Sequence, residues 1–102
     1  MSDGQYFRQG KASALNIAAT AVVSTVPPDF SRGQARLVRI NVVVAGSAPG
    51  NAYDAATVAG AVAANLVAVI PNTVGSYLID FPIQSGILIV PGTGQTVAVS
   101  YD

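Results

Sequence analysis

The side chains that could carry out chemistry are few, and their spacing keeps them apart. The 102 residues contain no His, Cys or Glu, and Lys occurs once, at position 11. General acid–base catalysis depends mostly on these residue types, and zinc sites depend on His and Cys. The five Asp are at least 22 residues apart and form no Asp-rich calcium loop. We therefore predict no catalytic residue, no metal site and no cofactor, and we do not expect an enzyme.

Two short motifs resemble functional patterns but lack the context that those patterns require. Lys11 and Ser13 could form a Ser–Lys pair, yet the sequence offers no third group nearby to orient them. The segment PGTGQT, residues 91–96, supplies two glycines of a dinucleotide-binding fingerprint, but Val97 occupies the place of the third. A strand pattern rather than a helix follows it, which favours a hairpin turn.

The charged residues are unevenly distributed along a chain whose net charge is zero. All basic side chains lie in the first 39 residues, which carry five bases against two Asp, and residues 40–102 carry three Asp and no base. The basic residues could be solvated edge charges or could contact an acidic neighbouring subunit. Nucleic-acid binding is disfavoured because Arg36 and Arg39 are three positions apart on a predicted strand and so point to opposite faces.

The composition favours strands and association. Charged residues make up 10% of the chain, against about 25% in an ordinary soluble domain, and 51% of the residues are hydrophobic. Val, Ile and Thr together number 28, and such β-branched residues prefer half-buried pleated surfaces. A domain of this size must leave apolar side chains exposed, so we expect a homo-oligomer or a subunit of a larger assembly.

Short alternating segments separated by Gly and Pro turns predict an all-β fold: a single compact β-sandwich, jelly-roll-like, of about six to eight antiparallel strands. The sandwich is expected over residues 14–102, behind an N-terminal arm at 1–13. In 14–25, alternation places Leu15 and Ile17 on the core face, with a break near 18–19. In 36–45, it places Val38, Ile40, Val42 and Val44 on the core face and Leu37 on the other.

The Ala-rich segment 51–70 is ambiguous between helix and strand. We favour strands at 52–57 and 66–70 joined by a loop of small residues, in which one helical turn can form. Residues 55–79 carry no charge, but Pro71, Asn72 and Gly75 leave an unbroken run of only 16 residues, whereas a membrane span needs about 20. We expect no membrane association. A further short strand is predicted from Tyr77 to Phe81 and is expected to end at Pro82.

The segments RLVRINVVVAGSAPGNAYDAAT, ANLVAVIPNTVG and LIDFPIQSGILIVPGTGQTVAVSY contain a series of turn and packing motifs. They are a strand that ends in Ala-Gly-Ser, a Tyr-Asp-Ala tract, an Ile-Pro turn, an acidic-Phe-Pro corner and a terminal Pro-Gly-Thr-Gly hairpin. Through these motifs, over about residues 36–101, the chain resembles small structural proteins of tailed bacteriophage particles.

This resemblance implies a virion component on the capsid surface, assembled in the host cytoplasm: most simply a capsid decoration (cement) subunit that binds the major capsid protein or neighbouring subunits. A tail, fibre or vertex component with a receptor- or carbohydrate-binding role is the alternative. A homotrimer is expected from the symmetry of that setting. The composition of the arm suggests that it anchors the subunit. The predicted partner-binding residues are Tyr6, Phe7, Arg8, Lys11, Arg32 and Arg36.

Overall fold

A computed structural model describes the chain over residues 12–25 and 35–101. These residues form eight strands, β1 (Ala12–Ile17), β2 (Ala21–Thr25), β3 (Ala35–Val44), β4 (Gly50–Asp54), β5 (Leu66–Ile70), β6 (Gly75–Ile83), β7 (Gly86–Val90) and β8 (Thr96–Tyr101). Two single turns of 3₁₀ helix, Val58–Gly60 and Ala63–Asn65, lie between β4 and β5. The ambiguous segment is therefore two strands with a connection of small residues, although the first strand ends at Asp54 rather than Thr57.

The strands form two antiparallel sheets whose order defines a jelly roll. Sheet A has the order β1-β8-β3-β6 and sheet B the order β2-β7-β4-β5. Four of the pairs, β1–β8, β2–β7, β3–β6 and β4–β5, are those of a long antiparallel ribbon folded back at the β4–β5 connection. The ribbon wraps so that β8 also pairs with β3, and β7 with β4. This is the eight-stranded jelly-roll arrangement, and it confirms the predicted β-sandwich.

The core lies between the two sheets and consists of Ile, Val, Leu and Ala side chains. Strand β7 is central in sheet B, and its Ile87 and Ile89 are fully buried. Burial of one such side chain stabilises the fold by about 1.5–3 kcal/mol. The buried cluster comprises Ile17, Leu37, Ile40, Val42, Ala52, Ile70, Ile83, Ile87, Ile89, Val97 and Val99.

The face predicted for the first strand is wrong at Leu15. Ile17 is buried as expected, but Leu15 is 73% exposed. Asn16 between them has a φ of 57°, and the pairing with β8 shifts register between Ala14 and Ile17. This β-bulge reverses the alternation, so Ala14 and Ile17 face the core and Leu15 faces solvent. The chain then changes sheet, because β1 lies in sheet A and β2 in sheet B.

Strand β3 also departs from the predicted alternation at both ends. Leu37, predicted to face outward, is buried in the core, and Val44, predicted to be in the core, is exposed. The register against β8 shifts between Leu37 and Arg39 and again between Val42 and Val44. Because each irregularity changes which face a residue occupies, the central residues Ile40 and Val42 keep their predicted positions and the ends do not.

Strand β6 is longer than the sequence predicts because it lies at the edge of sheet A. It runs from Gly75 to Ile83 and includes Pro82, which is in register with Arg36 of β3. Proline lacks an N–H donor and so ends a central strand, but an edge strand tolerates it because only one side of the strand is paired. The predicted end of the strand at Pro82 is therefore wrong, because β6 is an edge strand and the rule that proline ends a strand applies to central strands.

Candidate functional site

The jelly-roll connectivity places the loops at two ends of the sandwich. At one end, named here the closed end, lie the loops 18–20, 45–49, 71–74 and 91–95. At the other, the open end, lie the connection 55–65 and the β6–β7 turn at 84–85. Strand pairing brings Ala12 next to Tyr101 and Thr25 next to Gly86 at the open end. The two ends differ in how their polar groups are used.

At the closed end, a buried glutamine ties the loops together. Gln95 is fully buried, its Nε2 donates to the carbonyl oxygen of Pro71 at 3.0 Å, and its Oε1 accepts the N–H of Gly92 at 3.0 Å. The N–H of Gly46 in turn donates to Oδ1 of Asn72 at 2.7 Å. These side-chain groups form hydrogen bonds with backbone groups, so at this end they stabilise the loops.

At the open end, Asp54 fixes the β6–β7 turn. Its Oδ1 accepts the N–H of Ser85 at 2.7 Å, and its Oδ2 accepts that of Gln84 at 3.0 Å. The N–H of Ala55 donates to the carbonyl oxygen of Gly86 at 3.0 Å. Hydrogen bonds to a carboxylate are about twice as strong as neutral ones. The backbone that carries the Gln84 and Ser85 side chains is therefore held in one conformation.

A surface depression of about 350 Å³ lies beside this turn, between the edge strands β5 and β6. Its apolar part includes Leu66 at the start of β5 and Phe81 of β6, which is 46% exposed. Its polar part is formed by Asp54, Asn65, Gln84 and Ser85. An aromatic ring next to amide, hydroxyl and carboxylate groups is suited to a ligand with both apolar and hydroxyl-bearing surfaces.

Residues 55–74, which make up most of the uncharged segment 55–79, form an exposed border of the molecule, which we name the aliphatic edge. It includes β5, an edge strand of sheet B, and the connections on either side of that strand. Val69, in β5, is 55% exposed. The exposed aliphatic residues of the aliphatic edge are Val58, Val62, Leu66, Val69 and Val74.

The outer faces of the two sheets differ in charge. In sheet B, Ala52 and Ile89 face the core, so alternation places their neighbours on the outer face. Strand register places Val22, Tyr53, Leu66, Val69 and Val90 on this outer face. None of the described residues on it is charged. The outer face of sheet A combines polar groups, such as Arg39, whose Nη1 donates to Ser76 Oγ at 3.1 Å, with the exposed aliphatic side chains of Leu15 and Leu78. Exposed aliphatic side chains therefore occur on both outer faces. On sheet B, Leu66 and Val69 are exposed and Leu88 is fully buried, and the face differs from that of sheet A in carrying no charged side chain among the described residues.

Of the predicted partner-binding residues, only Arg36 falls within the described part of the chain. Its Nη1 lies 3.0 Å from Oδ1 of Asp80, and the two side chains are 40% and 46% exposed. Asp80 has a φ of 50°, a left-handed conformation that Asp tolerates, at an irregularity of β6 opposite β3. An exposed pair of this kind contributes at most about 1 kcal/mol.

The other predicted residues, Tyr6, Phe7, Arg8, Lys11 and Arg32, lie outside the described residues. The strands nevertheless fix where their segments attach. Ala12 begins β1, and Thr25 and Ala35 bound the segment that contains Arg32. By strand pairing, all three attachment points lie at the open end. Ala12 and Ser13, which the sequence assigned to the arm, pair with Tyr101 and Ser100 as part of β1.

The residues of the depression and of the aliphatic edge were not predicted as a site from the sequence. A signal for the edge existed, because residues 55–79 lack charge. That signal was considered only as evidence for or against a membrane span. The depression had no such signal, because it joins Asn65, Phe81 and Gln84 from separate parts of the chain.

Within residues 12–25 and 35–101, no three His, Cys, Asp or Glu side chains are grouped so that they could hold a metal ion. The same part of the chain contains no helix long and apolar enough to cross a membrane. Comparisons with protein-family models, with curated proteins and with solved structures found no match to this chain.

Proposed function

We propose that this protein is a non-enzymatic structural subunit of a tailed-bacteriophage particle, namely a capsid decoration (cement) protein that binds the outer surface of the head shell as a homo-oligomer. The motif resemblance over residues 36–101 supports the setting. The exposed aliphatic edge supports the role, because a decoration subunit requires a rigid fold with an apolar contact surface.

The observation that carries this proposal is the aliphatic edge, along which exposed aliphatic side chains occur without any charged residue. Contiguous exposed aliphatic side chains, such as Leu66 and Val69, are characteristic of protein–protein contact sites. Each square ångström of apolar surface removed from water contributes about 25 cal/mol. Docking through an uncharged face also avoids the cost of desolvating ions, which makes it an efficient contact.

A subunit that docks in this way stabilises the shell by mass action. It binds the assembled capsid surface, which dissociated capsid proteins do not present, and so shifts the equilibrium toward the assembled shell. The predicted anchoring residues, Tyr6, Phe7, Arg8, Lys11 and Arg32, extend the contact from the open end, where their segments attach to the sandwich.

The test is the copy number of this chain relative to the major capsid protein in purified particles, measured by quantitative mass spectrometry. A ratio near one to one, or a fixed simple fraction of it, is the expected result. A few copies to a few dozen per particle would overturn head decoration and favour a vertex, fibre or tail component with a receptor-binding role. Absence from particles would overturn the virion assignment itself.

A further inference from the structure

We infer that the depression at the open end is a binding site for a single neutral sugar ring. This goes beyond the structural role proposed above and does not depend on it. Of the exposed aliphatic residues that define the aliphatic edge, only Leu66 lines the depression. The inference rests on the shape of the depression, its exposed ring, its unused polar groups and its charge.

The apolar part of the site suits one face of a sugar. A pyranose presents C–H groups on its ring face and hydroxyls around its edge. Phe81 is a large apolar side chain that remains 46% exposed, and Leu66 lies beside it in the depression. An aromatic side chain that stays partly exposed in a depression provides apolar surface against which the C–H face of a sugar ring can pack.

The polar groups around this apolar surface are available for hydroxyls. The hydrogen bonds among the described residues use the backbone N–H groups of Gln84 and Ser85, but not the Gln84 side-chain amide or the Ser85 hydroxyl. Asn65 Nδ2 donates to the carbonyl oxygen of Gly60 at 2.9 Å, which orients its Oδ1 as an acceptor. Amide and hydroxyl groups both donate and accept, as sugar hydroxyls do.

Charge and size narrow the ligand class. Asp54 is the one charged residue among the described residues that line the depression, and it is acidic. Sugars that carry a carboxylate or phosphate would meet this like charge with no lining cation to offset it, so neutral sugars are favoured. A volume of about 350 Å³ lies at the small end of the ligand-pocket range, roughly 300–1,000 Å³. It suits one ring rather than an extended oligosaccharide.

The site is also preorganised. Asp54 anchors the turn that carries Gln84 and Ser85 through hydrogen bonds of 2.7–3.3 Å to three successive backbone N–H groups. Binding therefore does not have to order this turn, and the entropic cost of association falls accordingly. An open site that contacts one ring is expected to bind with a dissociation constant of about 1 mM.

The experiment is an NMR titration of the isotope-labelled full chain with methyl glycosides of glucose, galactose, mannose and N-acetylglucosamine, and with glucuronate as the anionic comparison. At least one neutral glycoside should give saturable shifts clustered at the amides of Asn65, Leu66, Phe81, Gln84 and Ser85. Glucuronate should bind at least tenfold more weakly. Absence of saturable shifts with all four glycosides would overturn the inference, as would shifts clustered elsewhere.

Two variants separate stacking from hydroxyl recognition. Phe81→Ala removes the aromatic side chain and should weaken binding at least tenfold. Gln84→Ala, in the β6–β7 turn, should weaken binding several-fold without altering strand β6. Leu78→Ala is the matched control, because Leu78 lies on the same strand, is similarly exposed and does not line the depression. Equal binding by Phe81→Ala and Leu78→Ala would also overturn the inference. The particle copy number should not change in Phe81→Ala, which distinguishes this site from shell docking.

Discussion

Gln95 joins two loops, 71–74 and 91–95, and its chemistry makes a pH-dependent prediction. Its amide donates to Pro71 and accepts from Gly92 in a fully buried position. Gln95→Glu replaces the donor with a carboxylate, and burial raises the pKa of that carboxyl above its unfolded value of about 4.3. The variant should therefore be destabilised by at least about 2 kcal/mol at neutral pH. There, folding must either bury the charged carboxylate or protonate it at a pH at which the unfolded chain keeps it ionised.

This loss should shrink as the pH falls through the raised pKa toward the unfolded value. Once protonated, the introduced carboxyl group offers an O–H donor to Pro71 and a carbonyl acceptor to Gly92, much as the amide does. Gln95→Met is the control, because it loses both hydrogen bonds at every pH. Urea unfolding of both variants and the wild type between about pH 4 and 8 measures the difference. A pH-independent loss in Gln95→Glu would contradict the prediction.

Individual residues in this molecule were predictable where their role is local. The sequence predicted a hairpin turn at 91–96. Residues 91–95 do form a turn between β7 and β8, but the hairpin is wrong, because β7 lies in sheet B and β8 in sheet A. The sequence did not indicate that Gln95 is buried, because its donor bond ends 24 positions away at Pro71. Nor did it indicate that Asp54 fixes the β6–β7 turn, because its partners lie about 30 positions away. Long-range hydrogen bonds of this kind leave no pattern in a single sequence.

At the scale of the element, the bulge in β1 predicts that two neighbouring aliphatic residues differ greatly in importance. Regular alternation would bury both, whereas Ile17 is buried and Leu15 is 73% exposed. Ile17→Ala should reduce the free energy of unfolding by about 2–5 kcal/mol, since it leaves a cavity in the core. Leu15→Ala should change it by no more than about 0.5 kcal/mol. Denaturant unfolding of the pair measures this, and similar losses would mean that β1 has no bulge.

The strands themselves were largely predictable, and their irregularities were not. Alternation of β-branched residues and the spacing of Gly and Pro turns reported the secondary structure, because both depend on local backbone preferences. The bulges at Asn16 and after Leu37 invert a face within one strand, and they arise from pairing with distant partners. For the same reason the sandwich was predictable, but its strand order, in which β1 pairs with β8, was not.

At the scale of the whole molecule, the uneven distribution of charge along the chain gives surfaces that differ in charge. Most of the charge-free segment 55–79 forms the aliphatic edge, and the ion pair of Arg36 and Asp80 lies in sheet A. Composition alone indicated that apolar side chains must be exposed somewhere. Topology determines where, because the β4–β5 connection places the most weakly charged part of the chain at the border of sheet B.

This difference predicts that one added charge acts differently on the two sides of the sandwich. Val69→Lys places an ammonium group at the centre of the aliphatic edge, where docking would have to desolvate it against an uncharged surface, so self-association and binding to undecorated shells should weaken at least tenfold. Leu15→Lys, on the opposite sheet, should retain both. Because both positions are exposed, the free energy of unfolding should change by no more than about 0.5 kcal/mol in either variant. Sedimentation velocity and co-sedimentation with shells measure the two properties. If Val69→Lys associates as the wild type does while Leu15→Lys fails, the contact lies on sheet A, and the aliphatic edge is not where this protein docks.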